Sequence, residues 1–262
     1  SPFTVYESIA ALHADRAAGA WPLPFVWKAA TGGYDGFGVT LVRTEEQAQA
    51  LPNGECLAEA LVDLDLEVAV QVARTRSGET AVFPVTDMEF HPTANQVEFV
   101  VVPTRLSPAL AAAAQELALK LVESLELVGL LSVEFFVDRS GHLWINEAAP
   151  RPHNSGHWTI EGSRTSQFEQ HLRAILDLPL GDPTMTAPFA VMGNILGGDK
   201  TDMYRPYLHL MARNPELKFH QYKKEVRKGR KIGHVTVIGE NLLELTEVAE
   251  HARDYMSGEI DE

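Results

Sequence analysis

The polar side chains best suited to chemistry in this sequence are concentrated between positions 145 and 158, in the segment INEAAPRPHNSGHW. The segment combines a carboxylate, a guanidinium group, two amides and two imidazoles with two prolines. So many charged and hydrogen-bonding groups in a turn-rich segment are typical of a ligand site. We therefore interpret this segment as the first candidate for a functional site.

The preceding segment, VEFFVDRSGHLWI, predicts a β-hairpin because two apolar stretches flank a polar turn ending in Gly. With Arg139 and Ser140 at the tip, Glu134 is expected opposite Ile145, and Glu147 lies two residues further on the same face. Their Cβ atoms would be diagonal neighbours, roughly 7 Å apart. Such carboxylates repel unless a cation lies between them, which favours Mg²⁺ held at about 2.1 Å. The alternative is a solvated hairpin whose acids align by chance.

A second candidate is the glycine-rich stretch KAATGGYDGFG, which starts at Lys28 and ends at Gly38 between two apolar segments. Glycine lets the backbone approach an anion and present N–H groups to phosphate oxygens, and Lys28 adds a positive charge. The stretch is neither a Walker motif nor a dinucleotide fingerprint, since both of these open a helix. We interpret it as a loop that closes over phosphates, with a plain flexible turn as the alternative.

A possible nucleoside site lies at the ends of two predicted strands. A strand edge such as Glu59, Ala60, Leu61 and Val62 can read adenine through its backbone groups. A carboxylate at the start of the next strand, here Glu67, can accept hydrogen bonds from ribose hydroxyls. Taken alone, both acids are more typical of solvated turns.

Composition limits the function classes. The chain has 262 residues, enough for two cores, and 36 acidic against 22 basic side chains give a net charge of −14. That charge argues against a broad nucleic-acid surface. The single cysteine, Cys56, lies among apolar residues and predicts a buried thiol in a reducing compartment. No apolar run approaches the ~18 residues of a membrane span and no secretory pattern starts the chain, so we expect a cytoplasmic protein.

Hydrophobic periodicity and capping residues predict an α+β fold that positions these candidates. Helices are predicted at about residues 7–18, from 44, at 107–127, 166–176 and 241–256, and strands at 23–29, 39–43, 55–60, 67–74, 80–85, 96–102, 187–195, 217–222 and 233–238. Capping boxes are expected to start at Thr44 and at Ser166. A proline- and glycine-rich boundary predicts a first domain at 1–181 and a smaller one at 182–262.

Four blocks of sequence together resemble the ATP-grasp ligases, specifically the N5-carboxyaminoimidazole ribonucleotide synthases of purine biosynthesis. The blocks are residues 32–36, 146–158, 165–175 and 224–234. Other ATP-grasp enzymes share the paired acids and the phosphate loop, but not the HNSGH block or the RK-x-GH ending. The resemblance implies an ATP-grasp fold with a small C-terminal α+β domain.

The resemblance also implies roles for individual residues. The ATP phosphates would be held by Lys28, Gly33, Tyr34, Asp35, Gly36, Phe37 and Gly38. Adenine would be lined by Glu59, Ala60, Leu61 and Val62, and ribose by Glu67. Mg²⁺ would be coordinated by Glu134 and Glu147, with Asn146 beside them. Bicarbonate and the ribonucleotide would be received by Tyr34, Asp35, Arg151, His153, Lys224, Arg230 and Lys231. For His153, proton transfer and hydrogen-bond anchoring both stay open.

Two departures from the family pattern stand out. The family usually has a basic residue at the position of Phe37. It also has a nucleotide-fold domain of roughly 100 residues before its ATP-grasp segment, whereas this chain starts at Ser1. That domain normally helps to form the ribonucleotide pocket and the dimer contact, so a homodimer is implied only for the full-length enzyme.

The reaction implied is an ATP-dependent carboxylation. Bicarbonate attacks the γ-phosphorus of ATP, giving ADP and carboxyphosphate, and 5-aminoimidazole ribonucleotide is then carboxylated directly or through released CO₂. Catalysis would consist mainly of positioning and charge neutralisation. The alternatives are another ATP-grasp carboxylate-amine ligase and an ATP-binding fragment with impaired catalysis.

Overall fold

Two antiparallel sheets form the frame of the protein, whose computed structural model describes residues 1–32, 38–90, 96–198 and 202–260. The strands are β1 (Phe3–Tyr6), β2 (Phe25–Ala29), β3 (Val39–Val42), β4 (Cys56–Ala60), β5 (Leu64–Arg74), β6 (Thr80–Val82), β7 (Thr86–Phe90), β8 (Val97–Val102), β9 (Gly129–Asp138), β10 (Leu143–Ala149), β11 (Phe189–Leu196), β12 (Lys218–Gln221) and β13 (Lys231–Gly239). The helices are α1 (Ile9–Ala17), α2 (Glu45–Gln49), α3 (Pro108–Ser124), α4 (Thr159–Gly162), α5 (Gln167–Ile175), α6 (Tyr204–Arg213) and α7 (Leu242–Ser257), with a short 3-10 helix at Asn154–Gly156.

The smaller sheet has four strands in the order β1-β4-β2-β3. Its core contains Leu12 of α1, Phe25 and Trp27 of β2 and the predicted buried thiol of Cys56, all less than 5% exposed. Alternation along β2 places Trp27 in this core and Lys28 on the opposite face. The small sheet therefore presents Lys28 away from its own core.

The larger sheet follows the order β10-β9-β5-β7-β8-β11-β13-β12, with β6 paired to β5. Helix α3 covers β5 and β9 through small residues such as Ala114 and Ala118, which allow close packing against Val70 and Val133. Helix α7 covers β11 and β13 at the other end. The face of β9 that turns away from α3 carries Glu134.

The large sheet runs across the predicted domain boundary. Strand β11 pairs with β8 through Ala190 opposite Val102 and Met192 opposite Val100. A proline and glycine segment therefore separates the two units along the sequence, while backbone hydrogen bonds join them in space. The boundary at residue 181 stays a prediction.

Several local predictions are confirmed. Thr44 and Gln47 form a capping box, and Ser107 accepts a hydrogen bond at the start of α3, with Pro108 in the first helical position. Only half of the second capping box is present. Ser166 accepts from the Glu169 N–H, but the Glu169 carboxylate pairs with Arg173.

Four elements escape sequence prediction, namely β1, β7, the four-residue α4, and α6. Strand β1 has only four residues and lies at the edge of its sheet. Strand β7 contains two acidic residues, which are uncommon in a buried strand. Helix α6 contains Pro206, which argues against a helix in sequence but lies in its first turn, where the missing N–H has no intrahelical partner.

The predicted register of the hairpin is wrong. The loop has three residues rather than two, because Gly141 adopts a φ of 82° and Asp138 closes the turn with His142. A bulge at Asn146 shifts the register again, so that Glu134 pairs with Glu147 and not with Ile145. The two carboxylates are thus directly opposite, where Cβ atoms lie roughly 4.5–5.5 Å apart.

Within the described ranges, no helix is long and apolar enough to cross a membrane.

Because the large sheet joins both units, we expect a destabilising substitution in the C-terminal unit to lower the stability of β8 as well. Leu210 of α6 is 1% exposed, and Leu210→Ala should cost about 2 to 5 kcal/mol. We expect native-state hydrogen exchange to accelerate together in β13 and β8. The matched variant Leu12→Ala, in the small sheet's core, should mainly affect β2 and β4. Unchanged protection of β8 in Leu210→Ala would contradict the coupling.

Candidate active site

Three glutamates share one face of the large sheet. Glu134 on β9 is buried, and it lies opposite the exposed Glu147 on β10. On the other side of β9, Ala69 of β5 is opposite Glu134, and Glu67 lies two residues from Ala69 on the same face. Glu67, predicted as a ribose ligand, thus joins the two predicted metal ligands.

Burial and mutual repulsion raise the pKa values of two of these glutamates. Burial, and then the charge of Glu134, raise the pKa of Glu67 to about 8. Burial, and then the charge of Glu147, raise the pKa of Glu134 to about 7, while Lys231 and Arg151 act in the opposite direction. A cation bound at this face would relieve the repulsion that holds protons on these carboxyl groups.

Lys28 reaches this face from the small sheet. Its Nζ lies 3.1 Å from Asn146 Oδ1 and 2.6 Å from Glu59 Oε2. The Ser1 hydroxyl donates to the other oxygen of Glu59. The β10 bulge at Asn146 and the Lys28 contact therefore bring the two sheets together beside the glutamates.

The predicted nucleoside segment continues from Glu59 at the end of β4. Ala60 and Val62 are half-buried and Leu61 is exposed, so the strand end is accessible. In the glycine loop, the Gly38 carbonyl accepts from the Ala29 N–H at 2.8 Å. The predicted loop residues Gly33, Tyr34, Asp35, Gly36 and Phe37 lie outside the described residues.

The loop after β10 places His153 against the glutamates. Its Nδ1 lies 3.4 Å from Glu134 Oε1 and 2.9 Å from Ser155 Oγ. Gln167 holds the loop, since its side chain accepts from the His153 N–H at 2.9 Å and donates to the His153 carbonyl at 2.7 Å. The same amide nitrogen contacts His157 Nδ1 at 2.9 Å. Gln167, the first residue of α5, thus holds His153, which was a predicted site residue, and His157, which was not.

The predicted cations divide into two groups. Arg151 and Lys231 lie close enough to lower the pKa of Glu134. Arg230 and Lys224 are exposed and contact none of the three glutamates in the part of the chain that the structure describes. Lys224 instead has its Nζ 5.3 Å from the centroid of the Tyr222 ring.

Three histidines that were not predicted as site residues form a cluster next to this site. The rings of His157 and His234 are 5.0 Å apart, and those of His234 and His220 are stacked at 4.5 Å. His220 Nε2 pairs with Glu161 Oε1 at 2.7 Å, and His234 Nδ1 with the Tyr222 hydroxyl at 2.8 Å. The signal was the alternation of His220 and Tyr222 along a predicted strand, which places both on one face.

Burial keeps two of these histidines neutral. Burial, and then the nearby Lys231, lower the pKa of His157 to about 4. Burial, and then His157 and His220, lower the pKa of His234 to about 2. Neutral imidazoles can pack beside cations without adding to their repulsion.

The glutamate face can hold a hard cation through few protein ligands. No group of three or more His, Cys, Asp and Glu side chains among the described residues is arranged to hold a metal ion. Glu134 and Glu147 alone offer two carboxylates. That number suits Mg²⁺, which usually takes one or two carboxylates and completes its shell with water and substrate oxygens.

Comparison with known proteins identifies the family. Residues 1–168 match the ATP-grasp domain, and residues 190–248 match the phosphoribosylaminoimidazole carboxylase C-terminal domain. The chain belongs to the ATP-grasp family. The resemblance and the ATP-grasp fold expected from sequence are thereby confirmed, and the histidine cluster joins the two matched segments of this ATP-grasp chain.

Individual relatives show which ATP-grasp enzymes this chain is similar to. The chain is 44% identical over 245 residues to N5-carboxyaminoimidazole ribonucleotide synthase of Mycobacterium bovis, covering 89% of this chain and 56% of the relative. It thus spans about half the length of the curated relatives it matches. The ADP complex of an N5-carboxyaminoimidazole ribonucleotide synthetase is 36% identical, with a TM-score of 0.85 over 99% of this chain and 68% of that one. The Aspergillus clavatus synthase with ADP and 5-aminoimidazole ribonucleotide is 28% identical, with a TM-score of 0.86 over 98% and 68%.

The raised pKa values predict how stability depends on pH in the absence of metal and nucleotide. Between pH 4.5 and about 7, the folded chain binds the Glu134 proton more tightly than the unfolded chain does, so stability falls as pH rises through this range. Glu134→Gln removes this loss. We expect the variant to be more stable than wild type by roughly 1 to 3 kcal/mol at pH 8, with a much smaller difference at pH 5.

Urea unfolding at both pH values measures this difference. Glu123→Gln, at an exposed position on α3, is the matched control and should show no such pH dependence. An equal effect of Glu134→Gln at pH 5 and pH 8 would exclude the raised pKa of Glu134.

Proposed function

We propose that the protein carrying this chain uses ATP to carboxylate 5-aminoimidazole ribonucleotide with bicarbonate, forming N5-carboxyaminoimidazole ribonucleotide, ADP and phosphate in purine biosynthesis. The observation that carries the proposal is the glutamate face, which has Lys28 near Glu67 and Asn146, and Arg151, His153 and Lys231 near Glu134. In this proposal, the nucleoside triphosphate would lie near Lys28, and small anions would lie near Arg151, His153 and Lys231. The similarity to a synthase that binds ADP and the ribonucleotide supports the same substrates here.

The nucleotide half of the proposal rests on Lys28 and the glutamates. Lys28 would bind phosphate oxygens, the strand end from Glu59 to Val62 would contact adenine, and Glu67 would accept from the ribose. Glu134 and Glu147, with Asn146 beside them, would hold Mg²⁺. When bound, the ion neutralises charge on the phosphate oxygens.

The acceptor half rests on the cations of the polar loop and the C-terminal unit. Arg151, His153 and Lys231 would orient bicarbonate so that its oxygen attacks the γ-phosphorus and the bond to ADP breaks. The amine of the ribonucleotide then forms the new C–N bond, phosphate leaves, and the amine loses a proton. His153, whose Nδ1 lies 3.4 Å from Glu134 Oε1, would anchor bicarbonate or receive that proton.

Exposed cations are assigned to the ribonucleotide. Lys224 and Arg230 would meet its phosphate. Tyr34 and Asp35 of the glycine loop would contact other groups of the ribonucleotide or bicarbonate. We further propose that the complete protein is a cytoplasmic homodimer, consistent with the reduced, buried Cys56.

Turnover tests the reaction. In the complete natural protein that carries this chain, ADP formation should require both bicarbonate and 5-aminoimidazole ribonucleotide, and carbon from labelled bicarbonate should appear in the ribonucleotide. ADP formation with a different amine would favour another ATP-grasp ligase. Tight ATP binding without turnover under all conditions would favour a binding protein.

Calorimetry tests the metal assignment. Glu134→Gln and Glu147→Gln should each weaken Mg-ATP binding at least about tenfold, because each removes one of two carboxylate ligands. Glu123→Gln should bind Mg-ATP as wild type does. Unchanged affinity in both active-site variants would remove the assignment.

A further inference from the structure

Tyr222 connects an exposed cation to the buried histidine cluster. Its hydroxyl lies 2.8 Å from His234 Nδ1, and its ring lies 5.3 Å from the Nζ of Lys224. Its backbone N–H donates to the Ile232 carbonyl at 2.9 Å, which fixes the start of the segment that leads to Lys224. Tyr222 therefore has one polar contact inside the protein and one aromatic contact at its surface.

The hydroxyl contact joins two neutral groups. His234 is buried and its lowered pKa keeps the ring neutral. Burial raises the pKa of Tyr222, so the phenol keeps its proton. The Tyr222 hydroxyl is thus held by a hydrogen bond to a buried, neutral side chain.

The histidine cluster extends this connection to the ATP-grasp segment. His234 stacks on His220 with ring centroids 4.5 Å apart and an interplanar angle of 17°. His220 Nε2 is 2.7 Å from Glu161 Oε1, on α4. A continuous series of contacts therefore runs from Glu161 in the ATP-grasp match, through two histidines, to Tyr222 and Lys224.

Among the contacts that the structure describes for Lys224, the Tyr222 ring is the one that orients its side chain. Its side chain is exposed, and no ion pair fixes it among the described residues. The preceding Lys223 has a φ of 54°, a left-handed conformation that is uncommon outside glycine and persists where surrounding contacts hold the chain. An ammonium group against an aromatic ring loses orientational freedom that a free lysine would keep.

We propose that Tyr222 is a positioning residue that fixes Lys224 for the acceptor ribonucleotide, and that His234, His220 and Glu161 tie Tyr222 to the ATP-grasp unit. This inference rests on the proposed function. Lys224 would pair with the anionic phosphate of the ribonucleotide, and Tyr222 would act only through Lys224. Binding of the nucleotide at Lys28 should not depend on Tyr222.

Steady-state kinetics of the complete protein separate these roles. Tyr222→Leu removes the ring and should raise KM for the ribonucleotide by about two- to tenfold, with Mg-ATP affinity unchanged. Tyr222→Phe keeps the ring but loses the bond to His234, and we expect a smaller rise. The matched control is Tyr204→Leu on the exposed face of α6, which should leave KM unchanged.

A double-mutant cycle with Lys224→Ala shows whether Tyr222 acts through Lys224. In the Lys224→Ala background, Tyr222→Leu should raise KM no further. The inference would be overturned if the increases in KM caused by Tyr222→Leu and Lys224→Ala multiplied in the double variant. An unchanged KM in Tyr222→Leu, or a parallel loss of Mg-ATP affinity, would also overturn it. If Tyr222→Leu does not fold, the same cycle with Tyr222→Phe decides. Wild-type protein without ribonucleotide-dependent turnover would refute the proposed function itself, and this inference with it.

Discussion

The burial and mutual repulsion of carboxyl groups that share one sheet face are the constraint on which the rest of the site depends. Glu67, Glu134 and Glu147 are brought together by strand pairing, and burial denies the first two the solvation that would separate their charges. Two carboxyl groups therefore hold their protons near neutral pH. A face of this kind is unfavourable as a purely structural feature and becomes favourable when a divalent cation occupies it.

The cations near this face come from distant parts of the sequence. Lys28 approaches from the small sheet, Arg151 from the loop after β10, and Lys231 from the start of β13. Because the protein carries a net charge of −14, these cations form a local exception to its overall charge, which the proposed anionic substrates would require. Backbone pairing from β10 to β13 fixes the loop and Lys231 in one frame.

The histidine cluster solves a packing problem at the junction of the two matched segments. A cation there would be repelled by the nearby Lys231 and Arg151, whereas an apolar core would leave Glu161 and the Tyr222 hydroxyl without partners. Imidazole side chains satisfy both demands, and burial keeps those of His157 and His234 neutral. The cost is a buried His234 Nε2 that has no hydrogen-bond partner among the described residues.

Local chemistry determined much of this protein from the sequence alone. The caps at Thr44 and Ser107, the buried Cys56, the existence of the hairpin and the family blocks depend on neighbouring residues or on residue type, and all are confirmed. The hairpin register depended instead on one left-handed glycine and one bulge, and it decided that the two glutamates stand opposite each other. The meeting of His157, His220 and His234 likewise came only with tertiary structure, because strand pairing and burial join residues that are far apart in the chain.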